Sequence, residues 1–266
     1  MTEGYLESRG IAYRTNAFES GRPTLLFIHG LSGSLSAWYP YEKIFQNKYN
    51  LITFDVRGHG LSKRWPNLKD YTLKESVEDI RALMKQMGIK DAILIGHSLG
   101  TLIALDFVTT YPAQVRSLVL LATAADLQNM RRTKLTACLL VLANRILRFF
   151  PMINREHTRI DYSFFPDTED FDLKRIYFDV TNTGFHAYCY SLEHIYEFKD
   201  AALWQKVQVP ALLVHGTKDT YIPVAHAEGL SKRMPDAKLI ILPGANHILV
   251  VNNIGEVAKA IGDFIG

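Results

Sequence analysis

From Pro23 onward the chain alternates short, unbroken apolar runs with longer stretches whose apolar residues recur three and four positions apart. The runs include Leu25 to Ile28, Ala92 to Ile95, Ser117 to Leu121, Pro210 to His215 and Lys238 to Leu242. A strand covered on both faces has no solvent side to make polar, so runs of this length read as buried parallel strands. Between them, Ser76 to Met87 carries Val77, Ile80, Leu83, Met84 and Met87 at helical spacing, which predicts an amphipathic helix with one stripe for the core. The alternation predicts an α/β fold with a mostly parallel central sheet and helices on both faces. Ahead of it, Tyr5 to Ser8 and Ile11 to Thr15, joined through Arg9-Gly10, read as an antiparallel hairpin.

The rhythm breaks between about Ala125 and Asp200 and resumes at the Leu212 run. Leu127 to Phe150 reads as a helix stopped by Pro151, with apolar Leu135, Leu139, Leu142 and Ile146 among Arg131, Arg132, Lys134, Arg145 and Arg148. Residues 149 to 198 then hold 13 of the chain's 27 Phe and Tyr. Rings at that density imply an apolar, aromatic-lined cleft, which favours acyl or aromatic ligands over sugars.

Candidate chemistry sits where strands end. Gly96-His97-Ser98-Leu99-Gly100 follows one apolar run and opens the helical stretch Thr101 to Phe107. Strand, sharp turn and helix are the context a G-x-S-x-G nucleophile requires. Glycines two positions either side relieve crowding at the turn, and the helix N-terminus favours developing negative charge. A serine hydroxyl needs a base, and the base needs an orienting acid. Asp219 lies just past the Leu212 run in Gly216-Thr217-Lys218-Asp219, and His247 ends the loop Pro243-Gly244-Ala245-Asn246-His247 after the next strand. Asp126, after the Ser117 run, is a rival acid; Asp219 is preferred for its turn.

With His29-Gly30 after the Leu25 strand and Phe54-Asp55-Val56-Arg57-Gly58-His59-Gly60 farther on, the chain resembles the α/β-hydrolase fold superfamily over nearly its whole length. The resemblance implies a catalytic triad of Ser98, Asp219 and His247, with oxyanion donors from the backbone of Leu31 and Leu99. It implies a core of residues 1–125 and 201–266, a helical cap (lid) at 126–200, and no metal or organic cofactor. Serine at the elbow argues against the dehalogenases and epoxide hydrolases of this fold, which carry Asp there. Ile248 after His247 weighs against its carbon–carbon hydrolases, and His29-Gly30-Leu31-Ser32-Gly33 lacks the H-G-G-P-G run of proline iminopeptidases. The expected activity is that of a serine carboxylesterase or small lipase acting on an apolar small-molecule ester. Thioesterase, lactonase, acyltransferase and carbon–carbon cleavage remain alternatives, as does a hydrolase-like receptor that binds without turnover.

Other polar residues take structural readings. His29 and His59 pack in turns, Asp55 and Arg57 satisfy each other or nearby backbone, His97 is held by the elbow, and His215 is a buried, satisfied imidazole. At 266 residues the chain is one large domain, or one domain with an insert. A formal charge of +3, dispersed along the chain, does not point to nucleic acid. Two cysteines, Cys138 and Cys189, suit neither a disulfide framework nor a metal site. The amino end lacks a secretion pattern and no run reaches spanning length, so the expectation is a soluble, cytoplasmic protein. The basic and apolar 131–148 stretch permits contact with an anionic membrane surface; a cap helix with its arginines in solvent is the preferred reading.

Overall fold

The computed structural model describes residues 1–123, 127, 131–150, 152, 158–199 and 201–266, the side chains of 131–136 excepted. The rival acid Asp126 and the helix stop Pro151 lie outside the described residues. The apolar runs become the strands β3 (Thr24–Ile28), β4 (Asn50–Phe54), β5 (Ala92–His97), β6 (Val115–Leu121), β7 (Ala211–Gly216) and β8 (Ala237–Leu242). They are parallel to one another, and the opening hairpin β1 (Thr2–Leu6) and β2 (Ile11–Thr15) joins antiparallel through β2 and β4. The sheet order is β1-β2-β4-β3-β5-β6-β7-β8. The first strand begins and ends earlier than Tyr5 to Ser8, because the reversal takes up Glu7 to Gly10. There the N–H groups of Arg9 and Gly10 both close on the Leu6 carbonyl, at 3.0 and 2.8 Å.

Strand side chains alternate between two cores, as a period of two requires. Leu26 and Ile28, Leu94, Leu118 and Leu120 face one side; Leu25 and Phe27, Ile95, Val119 and Leu121 face the other. The first core is closed by α2 (Leu73–Gln86), α3 (Leu99–Thr110) and α7 (Val224–Ser231). The second is closed by α1 (Tyr39–Phe45), α8 (Leu249–Asn252) and α9 (Ile254–Ile265). Helix α2 starts before Ser76 because the Thr72 hydroxyl caps it, accepting from the Glu75 N–H at 3.3 Å.

Between β6 and β7 the described residues hold α4 (Arg131–Leu147), α5 (Leu173–Thr183) and α6 (Phe185–Glu197). Of the apolar stripe read for α4, Leu139, Leu142 and Ile146 face solvent. The inward face is mixed: Leu147 packs against the cluster that holds Ala187 and Tyr190, and buried Asn144 Nδ2 donates to the Cys189 carbonyl at 3.1 Å and to Glu193 at 2.5 Å. Residue spacing defines a stripe but not which partner covers it, and α6 offers carbonyl and carboxylate acceptors to the opposite face. Among the described residues no helix is long and apolar enough to cross a membrane.

Candidate active site

The chain runs from β3 to β4 on one side and then from β4 back across β3 to β5 on the other, and that switch opens a crevice at the carboxyl ends of the strands. The loop after β3 and the turn after β5 meet in it. Ser98 occupies the turn with φ of 49° and ψ of −114°, a left-handed backbone that costs an L-residue strain. The two glycines flanking it are forced by contact. A Cβ on Gly96 would lie 2.4 Å from the Gly100 carbonyl oxygen, and one on Gly100 would lie 2.2 Å from that of Ile28. Gly30 also approaches closely: its Cβ would stand 3.2 Å from Cβ of Ser98. Leu31, next in that loop, lines the same cavity as Ser98. Leu99 is the first residue of α3, so its N–H falls outside the helical ladder.

Ser98, Asp219 and His247 come together from β5, β7 and β8. Ser98 Oγ lies 2.9 Å from His247 Nε2, and His247 Nδ1 lies 2.7 Å from Asp219 Oδ2. Asp219 Oδ1 accepts the N–H groups of Tyr221 and Ile222, at 3.0 and 2.7 Å. Burial alone raises the Asp219 carboxyl pKa, but hydrogen bonds from His215 and His247 and the Ile222 N–H outweigh it and hold the group well below the usual range. A carboxylate facing Nδ1 fixes that nitrogen as the donor and leaves Nε2 to accept from the serine.

One residue that the sequence pattern does not single out braces this arrangement. Asp170, almost wholly buried, accepts the His247 N–H on Oδ1 at 2.8 Å. Its Oδ2 accepts the Thr220 N–H and hydroxyl, at 2.8 and 2.6 Å. The 126–200 interval is thereby tied to both loops that carry Asp219 and His247. In sequence Asp170 sits in Thr168-Glu169-Asp170-Phe171-Asp172, which reads as a solvated acidic turn; no linear signal separates it from its neighbours.

The histidines and ion pairs nearby sort out differently from expectation in two places. Asp55 and Arg57 do not pair with each other, but both bond to backbone, as the other half of that reading had it; Arg57 Nη1 donates to the Asp70 carbonyl at 2.5 Å. Asp55, with no exposed surface, accepts the N–H groups of Leu35 and Leu61 and the Arg159 guanidinium. Arg57 lies past the end of β4 in a turn that aims it at α2, where it grips Asp79 through two nitrogens, each at 2.8 Å. His215 is buried but only half satisfied: Nε2 donates to the Ile222 carbonyl at 2.9 Å, while Nδ1 has no partner. The remaining readings hold. His29 accepts the Val56 N–H on Nε2, leaving Nδ1–H to donate to the Gly30 carbonyl, and burial lowers its pKa to about 4. His97 donates to the His247 carbonyl, and burial together with the neighbouring His247 lowers it to about 3. His59 packs beside His29 and is lowered to about 3, first by burial.

A cavity of about 410 Å³ opens onto Ser98 and His247. Trp38, Tyr162, Phe171, Tyr188, Tyr196 and Tyr221 contribute rings to its wall, with aliphatic residues such as Val180, Leu192 and Ile195 between them. Fewer of the clustered rings reach it than the sequence implied. Phe149, Phe150, Phe164, Tyr177, Phe178 and Phe185 are exposed and do not line it. The wall also holds one ion pair, Arg175 with Asp179 Oδ2 at 2.5 Å. Asp179 Oδ1 is buried without a partner, and burial pushes this carboxyl up to about 7 despite Arg175. Arg175 spends four of its five N–H groups on Asp179, Thr168 and the carbonyls of Glu169 and Asp170.

The chain is similar to known proteins over most of its length. The chain is 25% identical over 272 residues to “Probable lysophospholipase BODYGUARD 1” of Arabidopsis thaliana, covering 85% of this chain and 55% of that protein. It therefore spans about half the length of that relative. It is 25% identical over 231 residues to 3-oxoadipate enol-lactonase 2 of Acinetobacter baylyi, covering 86% of this chain and 84% of the other. The solved structure of an esterase from Exiguobacterium antarcticum superimposes with a TM-score of 0.76 at 18% identity, covering 96% of this chain and 94% of that one. The family model described as the alpha/beta hydrolase fold matches residues 23–253, from the strand ahead of the Gly30 loop to beyond His247. The chain belongs to the alpha/beta hydrolase fold family.

Proposed function

We propose that this hydrolase cleaves a carboxylic ester with an apolar acyl or aromatic moiety, through an acyl-enzyme on Ser98. The observation that carries the reading is the unbroken relay from Ser98 Oγ through His247 to Asp219, at 2.9 and 2.7 Å. His247 Nε2 takes the hydroxyl proton as Ser98 attacks the carbonyl carbon. The N–H groups of Leu31 and Leu99 receive the oxyanion, each worth on the order of 10²–10³ in rate. His247 then protonates the departing alcohol, and water repeats the sequence to release the acid. Asp219 stays ionised throughout and stabilises the imidazolium.

Residues 126–200 act in this reading as a cap over the site, braced to it by Asp170. The ring-lined wall supports an apolar substrate, because transfer of apolar surface from water supplies roughly 25 cal/mol per Å². A panel of p-nitrophenyl esters from acetate to palmitate, with thioesters and lactones alongside, tests the assignment. The expected result is highest kcat/KM on an oxygen ester, with one sharp chain-length optimum. A lactone or thioester preferred by tenfold or more would move the activity to that class.

A further inference from the structure

A second cavity, of about 420 Å³, lies on the other side of α5, and Val180 belongs to the walls of both. Its lining is mostly apolar, including Leu147, Phe150, Met152, Tyr177 and Phe185. Arg64 is part of this wall. Arg64 is 8% exposed; Nη2 donates to the Asn182 carbonyl, while Nε and Nη1 are buried and without a partner. No carboxylate pairs with it among the described residues. A cation withdrawn from water without a counter-charge is costly, and the cost is relieved by bringing in an anion.

A second feature converges on the same space. Phe185, His186 and Ala187, the residues that begin α6, line the cavity, and no side chain caps this 13-residue helix. Its first N–H groups lack helical partners, and the aligned peptide dipoles make that end partially positive. Gly184 precedes it at φ +87°, and a Cβ there would come within 3.1 Å of Arg64 Nε. The uncapped helix end and the unpaired guanidinium are therefore neighbours.

We propose that this cavity binds an amphiphilic anion, with a carboxylate or phosphate headgroup held by Arg64 and the start of α6, and an apolar tail among Leu147, Phe150, Met152 and Tyr177. Arg64 keeps two charged donors, Nε and Nη1, without a partner, and charge-assisted hydrogen bonds to such headgroups are the strong ones. The site is independent of the chemistry assigned to Ser98.

Titration calorimetry of the whole chain with decanoate, decyl phosphate, decanol and inorganic phosphate tests it. Decanoate or decyl phosphate, or both, bind at least about tenfold more tightly than decanol and inorganic phosphate; which one binds identifies the headgroup. Arg64→Gln weakens that anion at least about tenfold and leaves decanol unchanged. If Arg64→Gln unfolds, Phe185→Glu serves instead. Phe185 is exposed in the first turn of α6, where a glutamate suits the helix but repels a bound anion. The proposal is overturned if neither anion binds, if inorganic phosphate or decanol binds as tightly as the amphiphile, or if the folded variants bind the anion like the parent chain.

Discussion

Asp219→Asn changes one atom, and the hydrogen bonds around that side chain fix what the change does. Oδ1 accepts two backbone N–H groups, from Tyr221 and Ile222, while Oδ2 faces His247 Nδ1 at 2.7 Å and His215 Nε2 at 3.3 Å. An asparagine keeps both backbone bonds only if its oxygen takes the Oδ1 place, which turns its NH₂ toward His247. Nδ1 must then accept, the proton moves to Nε2, and Nε2–H is no longer able to take a proton from Ser98. The flipped amide restores the tautomer but points NH₂ at two buried N–H donors, at a cost of about 1–3 kcal/mol for each unsatisfied group. Either way the active arrangement is scarce. The expected loss is about 10⁴ in kcat, about 5.5 kcal/mol at 1.36 kcal/mol per decade. Steady-state kinetics on the best p-nitrophenyl ester, with KM and Tm measured in parallel, reads it. A folded Asp219→Asn enzyme within tenfold of the parent kcat would refute the role assigned to this carboxylate.

Asp170→Ala removes three hydrogen bonds and leaves the His247 and Thr220 N–H groups without their acceptor. It is expected to lower kcat by about 10²-fold with less effect on KM, as loss of a positioning contact does; equal kcat in the two enzymes counts against the brace. Gly100→Ala is expected to destabilise by more than about 4 kcal/mol or to prevent folding, since its Cβ would meet the Ile28 carbonyl at 2.2 Å; urea denaturation measures it. Asp179, raised to about 7 in the folded chain, ionises near 3.9 when unfolded, so the folded state holds the extra proton between those values. Stability should therefore fall as pH rises through that window and level off above it, by at most about 4 kcal/mol. Asp179→Asn, whose oxygen still accepts from Arg175, should flatten the slope in urea melts from pH 4 to 8.

The parts of the site carried by strand ends were legible because chemistry and backbone share one signal there. An apolar run followed by Gly-x-Ser-x-Gly names a strand, a turn and a candidate nucleophile at once, and the 2.2 and 2.4 Å contacts at Gly100 and Gly96 are the physical reason for that spelling. Asp219 and His247 were readable for the same reason, each following its own strand. Ion pairing was not. Asp55 and Arg57 stand two residues apart yet take partners from Arg159 and Asp79, because a turn between strand and helix redirects the longer side chain. Asp170 and Asp179 lie in the interval between β6 and β7, where no strand register ties sequence position to location. The α4 stripe misled for a related cause: helical spacing marks an apolar face, and Leu139, Leu142 and Ile146 show that the face need not be the buried one.

The role of Ser98 as nucleophile is tested by following acylation at that one oxygen. Intact-mass spectrometry of the chain after an alkyl fluorophosphonate, paired with ester turnover, compares the parent with Ser98→Ala. A single adduct mapping to Ser98 is expected in the parent, with no adduct in Ser98→Ala and a loss of about 10⁶ in kcat. An adduct on another residue, or near-normal turnover by the folded Ser98→Ala chain, would contradict that role.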